Sequence, residues 1–192
     1  ADPDHPIVSA SLPATKTSPE YLIDLALSDA GNDFTGKLAK VGTTGSASIE
    51  GWRKVWQTTA PAHLATAFTA QHNFAIENTS PGGPDGFGYG SFDVTEKDGS
   101  LTIAGKLADG SALLCSTFIG QDGQVLLYQS LYGNRGSCMG KLVVTPGSRA
   151  PSDNSVASSP TWPTTWLKPT PLPTSTDTLY RSGFGPLTLV ID

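Results

Sequence analysis

Residues 85–144 read DGFGYGSFDVTEKDGSLTIAGKLADGSALLCSTFIGQDGQVLLYQSLYGNRGSCMGKLVV. Asp-Gly recurs at Asp85-Gly86, Asp98-Gly99, Asp109-Gly110 and Asp122-Gly123, and a Gly133-Asn134-Arg135-Gly136 turn follows. Between these breaks lie short runs of alternating apolar and polar residues: 87–96, 101–108, 112–119, 125–131 and 138–144. A two-residue primed turn needs positive φ, which Gly and Asp tolerate, so Asp-Gly between alternating runs predicts a hairpin. The stretch as a whole predicts an antiparallel β-meander.

Upstream, residues 21–28, 34–41 and 46–57 read as strands, the last bent or bulged at Gly51. Residues 64–68 and 74–77 read as further strands, and the Ala-rich segment between them has a helical alternative. Residues 80–84 (SPGGP) are a loop. Residues 1–20 are punctuated by proline and predict an extended arm. The rival reading is an edge strand through residues 7–10, paired with a neighbouring subunit. Downstream, residues 146–178 are rich in Pro, Ser and Thr but are interrupted by Trp162, Trp166 and Leu167, which predicts an extended flap lying across a sheet. Residues 179–192 end in a closing strand over 187–191, expected to pair with an early strand.

The expected fold is therefore all-β. A single barrel-like domain over residues 21–192 holds an antiparallel meander of about ten strands, closed into a β-barrel or barrel-like sandwich. The composition agrees. With 21 Gly, 15 Pro and 15% charged residues in 192, turn-formers are abundant and long amphipathic helices have no support. The net charge of −5 comes without a Lys/Arg cluster, which disfavours nucleic acid and anionic membrane surfaces. No apolar run approaches the roughly 20 residues of a spanning helix. The start at Ala1-Asp2-Pro3, without an initiator Met, fits a mature form after signal cleavage or a cloning remnant.

A pentad of the form apolar-x-Gly-Lys-Leu occurs at 34–38, 103–107 and 138–142. Period-two geometry places Phe34, Ile103, Cys138 and the three leucines on an inward face, with Lys37, Lys106 and Lys141 in solvent. Glycine in the middle of such a face relieves crowding where a sheet coils tightly. The same parity puts Cys138 inside. Cys115 lies two strands away in a flat meander, so a disulfide would have to cross the interior or join splayed strand ends, within about 7 Å between Cα atoms. Two small buried thiols are the alternative.

The central segment resembles a β-rich domain found towards the C-terminus of large exported surface proteins of environmental bacteria. The resemblance is carried by Asp85-Gly86-Phe87-Gly88, by residues 101–111 (LTIAGKLADGS), by Asp122-Gly123-Gln124 with Leu127-Tyr128, and by Leu131-Tyr132-Gly133 through Ser137 to Gly140. Trp166-Leu167-Lys168-Pro169 and Gly183-Phe184 match the Trp-x-Lys-Pro and Gly-Phe that follow in that domain. The chain departs from the pattern at Val125 and Lys141, where the domain has Trp, and at both cysteines. The resemblance covers residues 82–144 best. It implies export, to the cell surface, the extracellular space or the periplasm, and a barrel-like module without established catalytic residues.

Signatures of chemistry are sparse. His5, His63 and His72 do not have helical ligand spacing; His63 and His72 could meet across a hairpin, but a metal site needs three or four converging ligands. The irregularly spaced Asp-Gly pairs read as turns rather than calcium loops. No Gly-x-Ser-x-Gly elbow occurs. Glu50, Glu77, Asp93 and Glu96 are acids that sequence alone does not bring together for glycoside hydrolysis. The aromatics carry more weight. Trp52 and Trp56 share a strand face, Trp162 and Trp166 punctuate the flap, and Tyr89 lies in the meander; exposed coplanar aromatics stack on sugar rings, whereas buried ones are core. The expected function is a non-catalytic structural or interaction module of an exported assembly, with protein partners or self-assembly through edge strands and the N-terminal arm. A barrel binding a carbohydrate or small apolar molecule is the alternative, and a hydrolase of undefined type comes third. No cofactor or metal is expected.

Overall fold

The computed structural model describes residues 7–16, 18–57, 63–175 and 179–192. The described residues contain antiparallel strands and a short 3-10 turn, and no α-helix. The chain divides into two compact units, Ala1–Val55 and Trp56–Asp192, where the sequence reading placed one domain after an arm.

The first unit is a four-stranded sheet in the order β1 (Ile7–Leu12), β2 (Tyr21–Leu27), β3 (Asp33–Lys40) and β4 (Ser46–Trp52). Residues 7–12, expected to belong to an extended arm, form β1 and zip against β2 of the same chain from Ile7↔Ala26 to Leu12↔Tyr21. The hydrogen-bonding edge that the arm was expected to offer a neighbour is thus used internally on one side. The strand expected over 46–57 stops at Trp52.

The second unit is a nine-stranded sheet curled into a nearly closed barrel. Its strands are β5 (Gln71–Asn78), β6 (Phe87–Asp93), β7 (Ser100–Lys106), β8 (Ala112–Phe118), β9 (Gln124–Leu131), β10 (Gly136–Thr145), β11 (Ser155–Ser158), β12 (Thr164–Lys168) and β13 (Phe184–Ile191). Hairpins join β5 to β8 in sequence order, and β13 closes on β5 through Leu189↔Asn78 to Ile191↔Ile76. The sequence had anticipated that closing strand, though not its partner. On the other side the path runs β9-β10-β12-β13. The long β10 offers one edge to two partners, β12 over Ser137–Met139 and β11 over Leu142–Thr145.

The expected Pro-rich flap therefore supplies two strands of the barrel. Thr164, Trp166 and Lys168 alternate inward with Thr165 and Leu167, and the β-branched and aromatic residues suit a pleated, half-buried surface. Residues 64–68, expected as a strand, instead make a 3-10 turn at Thr66–Phe68, which tucks Phe68 into the core while Ala65 N–H donates to the Glu96 carbonyl at 2.8 Å.

The meander turns form as the Asp-Gly pairs demand. Gly86, Gly99, Gly110 and Gly123 all have φ between 65° and 93°. Asp98 and Asp109 each accept from the backbone N–H two residues on, at 3.1 and 2.8 Å, an Asx turn that holds the reversal. The pentad parity holds in the barrel, where Ile103, Leu107, Cys138, Gly140 and Leu142 are buried and Lys106 is exposed, and Lys37 is exposed on the N-terminal sheet. Phe34 and Leu38 there are only half-buried, and Lys141, expected in solvent, is half-buried beside the chain segment of Trp162.

The barrel interior is packed rather than hollow. Ile103, Leu113, Ile119, Val125, Leu127, Leu142, Leu189 and Ile191 are fully buried and fill it from all sides. Among the described residues a weak seam lies between β8 and β9, joined by the bridge Ile119↔Val125. Side chains replace the missing ladder there. Leu114 N–H donates to the Gln129 Oε1 at 2.9 Å, and Tyr128 N–H donates to Cys115 Sγ at 3.5 Å.

Candidate functional site

The five expected ligand-binding aromatics do not assemble into one platform. Trp52 is half-buried on β4, and its indole N–H is enclosed with no hydrogen-bond partner among the described residues. Trp56 belongs to the barrel. Its N–H donates to the Ile119 carbonyl at 2.7 Å and its ring meets Phe68 edge-on, so it closes one end of the core. Trp162 is half-buried between β11 and β12, with its carbonyl accepting from Lys141 N–H. Trp166 is core, only 1% exposed, with Phe184 packed edge-on at 4.7 Å. Of the five, Tyr89 alone stands open to solvent on the barrel wall.

Trp166 anchors a polar corner. Its indole N–H donates to Tyr132 Oη at 3.0 Å, and Tyr132 O–H donates to Asp109 Oδ2 at 2.6 Å. Burial, and next the hydrogen bond to Asp109, hold the Tyr132 phenol well above its ordinary value, so it stays a donor. Lys168, buried beside them, donates from Nζ to the Leu179 carbonyl at 2.9 Å and lies 4.9 Å from the Tyr132 ring centroid and 5.8 Å from that of Tyr180. The motifs Ala108-Asp109-Gly110, Leu131-Tyr132-Gly133, Trp-x-Lys-Pro and Gly-Phe thus converge in space. Every polar group named here has a protein partner, and the corner reads as a pin that fixes β12 and residues 179–184 to the β9–β10 turn.

The two cysteines are free thiols, both buried, which is the second of the two alternatives left open by the sequence; the possible disulfide is not formed. Curling of the sheet brings both to the interior, but Cys115 turns into the β8–β9 seam, where its S–H meets the Leu126 carbonyl. Burial, and secondarily the neighbouring Cys115, push the Cys138 thiol up to about 12 from an ordinary 9.0. A group whose folded value is raised keeps its full contribution below the unfolded value and loses it as pH climbs towards the folded one. The contribution of this thiol should therefore fade above pH 9, by about 2 kcal/mol at about pH 10.5. Urea unfolding at the two pH values checks this, and Cys138→Ala should flatten the slope. Iodoacetamide should leave the native chain unlabelled and modify both cysteines after denaturation; a denatured, unreduced chain that takes up no label would restore the disulfide.

Among the histidines, His5 lies outside the described residues, His63 is exposed, and His72 is buried with Nε2 at 3.0 Å from the Phe68 carbonyl oxygen. Among the described residues no three His, Cys, Asp or Glu side chains gather as metal ligands. None of the described helical segments is long and apolar enough to cross a membrane.

Two surfaces remain that packing does not explain. The first is one face of the N-terminal sheet. The register puts Val8, Ala10 and Leu12 beside Leu25, Ile23 and Tyr21, and these beside Gly36, Leu38 and Lys40, with Ile49 and Ala47 next to Gly36 and Leu38. The opposite face is more polar, with Ser9, Ser11, Asp24, Thr35, Lys37, Ser48 and Glu50 set beside Leu22, Ala26 and Ala39. The sheet is amphipathic, yet no described residue of its four strands is buried, and Val8 and Leu12 are 55% and 49% exposed. The second is the outer wall around Tyr89, where Phe87 is also exposed. Sequence reading passed over Phe87. The signal was present in residues 87–92 (FGYGSF), whose alternation sends Gly88, Gly90 and Phe92 inward and leaves Phe87 and Tyr89 outside.

Compared with known proteins, the chain matches no family model, no curated protein sequence and no solved structure.

Proposed function

We propose that this chain is a non-catalytic interaction module of an exported, cell-surface or extracellular assembly, and that its N-terminal sheet carries the contact. The observation behind this reading is the apolar face of β1 to β4, patterned like a core-facing sheet, yet only half-buried at Ile23, Leu25, Leu38 and Ile49 and exposed at Val8 and Leu12. Burying such a face is what stabilises a small sheet, at about 25 cal/mol per Å² of apolar surface removed from water. An apolar face left incompletely covered in this way supports a contact with another chain. The outer edges of β1 and β4 are the ends of the sheet and offer backbone groups to the same partner. The exported setting rests on the resemblance of residues 82–144 to a domain of surface proteins.

Light scattering after size exclusion tests the reading. The full chain should elute above its monomer mass of 20.0 kDa, and Val8→Glu with Leu12→Glu, or removal of residues 1–20, should return it to the monomer. A wild-type chain that stays monomeric at high concentration and captures nothing that the double variant fails to capture overturns it.

The filled interior gives no support to a ligand held inside the barrel. A ligand reading moves to the outer wall.

A further inference from the structure

The outer wall of β5 and β6 carries a shallow depression of about 500 Å³, lined by Asn73, Phe74, Ala75, Tyr89, Gly90, Ser91 and Asp192. We infer that it is a binding site for a neutral pyranose sugar of a glycan chain, with Tyr89 as its stacking platform. This goes beyond the interaction reading and concerns the other unit.

The register explains why the site is built as it is. Ala75 faces Tyr89, and Tyr89 faces Lys106 on β7. One step along, Asn73 faces Ser91, and Ser91 faces Ala104. Asp192 exchanges backbone hydrogen bonds with Ala75, which places it at the end of the Tyr89 row. Small residues, Ala75, Ser91 and Ala104, flank the tyrosine on this face, with Lys106 beside it on β7, and the Tyr89 side chain stays largely open to solvent. Tyr89 is 59% exposed and Phe87, two residues along the same strand face, is 69% exposed. An aromatic side chain held open to water sacrifices burial, and it sits here on strands rather than on a mobile loop.

Around the ring stand an amide, a hydroxyl and a carboxylate, Asn73, Ser91 and Asp192. That set offers donors and acceptors to sugar hydroxyls, while the apolar C–H face of a pyranose lies on the tyrosine. Lys106 and Glu77, which pairs with Phe87 across the strands, carry opposite charges on the rim. The rim thus has no net cationic character to hold an acidic sugar, and the Asp192 carboxylate opposes one. A neutral sugar is the class that fits.

The test uses the full chain with three soluble probes: the hexasaccharides of β-1,4-glucose, α-1,4-glucose and β-1,4-xylose, titrated by calorimetry. At least one should bind. Tyr89→Ala should weaken it at least tenfold, Tyr89→Phe should keep most of the affinity because the ring face remains, and Asp192→Asn should weaken it less than Tyr89→Ala. Tyr128→Ala, an exposed aromatic away from the depression, should bind like the wild type. Thermal melts of each variant guard against misfolding. The inference is overturned if no probe binds, if Tyr89→Ala binds as well as the wild type, or if Tyr128→Ala loses as much. It is also overturned if Tyr89→Ala changes only the oligomeric mass, which would hand this wall to a protein contact.

Discussion

Trp166→Ala should cost the barrel about 3–5 kcal/mol, the largest loss expected of any single truncation in this chain. The indole is only 1% exposed and stands on β12 between Cys138 of β10 and Leu187 of β13. Its removal leaves a cavity against Phe184 and withdraws the N–H that donates to Tyr132. Three consequences compound: lost apolar burial, a void, and a weakened chain from Trp166 through Tyr132 to Asp109. Trp166→Phe keeps most of the volume and should cost less. Tyr132→Phe leaves the Trp166 N–H and the Asp109 carboxylate without their hydroxyl and should cost about 1–3 kcal/mol. Urea unfolding followed by near-ultraviolet circular dichroism measures all three. A loss below about 1 kcal/mol for Trp166→Ala would mean that the flap does not belong to the core.

Gly105→Ala should be among the most damaging changes of one methyl group, at about 2–3 kcal/mol. Gly105 faces Gly90 across β6 and β7. A Cβ at Gly105 would run into the Tyr89 carbonyl oxygen and the Gly90 Cα, both backbone atoms that no rotamer change can move. The neighbouring Gly90 is equally constrained, since the Phe74 ring lies over it from β5. The strands would have to part where Ile103 and Leu107 seal the core. Gly45→Ala supplies the control: nothing lies within 4 Å of the added carbon, and stability should change by no more than about 0.5 kcal/mol. Equal melting points for Gly105→Ala and the wild type would show that the sheet coils less tightly at this point.

The pentad that contains Gly105 was legible in the sequence because its message is local. Apolar, small and cationic residues alternate with period two, and any strand conformation sends them to opposite faces. The Asp-Gly turns were legible for the same reason, since positive φ is a property of the residue that adopts it. Residues 155–158 and 164–168 were not legible as barrel strands. Proline and serine around them suggested open chain, and only the free edge of β10, long enough for two partners, made pairing the better use of their backbone groups. The state of the thiols stayed open through the same gap. Parity put Cys138 inside, but a linear strand order cannot say that Cys115 would sit in a seam and take its hydrogen bonds from β9. The split into two units was also hidden, because the alternation of residues 21–52 looks the same whether a face is covered or bare.

The candidate site was half legible. Tyr89 was singled out as an aromatic in the meander, but its neighbours Asn73 and Asp192 come from positions 16 residues upstream and about a hundred downstream. Two strand pairings bring them together. By itself, the sequence determined that this chain is β throughout its centre, where it reverses, and which side chains of each strand share a face, because neighbours within a few residues decide those things. Only the tertiary structure decided which distant strands close the barrel, which aromatics are swallowed by the core and which stand on the wall. Those outcomes depend on long-range pairings that compete for the same backbone edges, and the winner is the arrangement that buries the most apolar surface while leaving the fewest polar groups without partners.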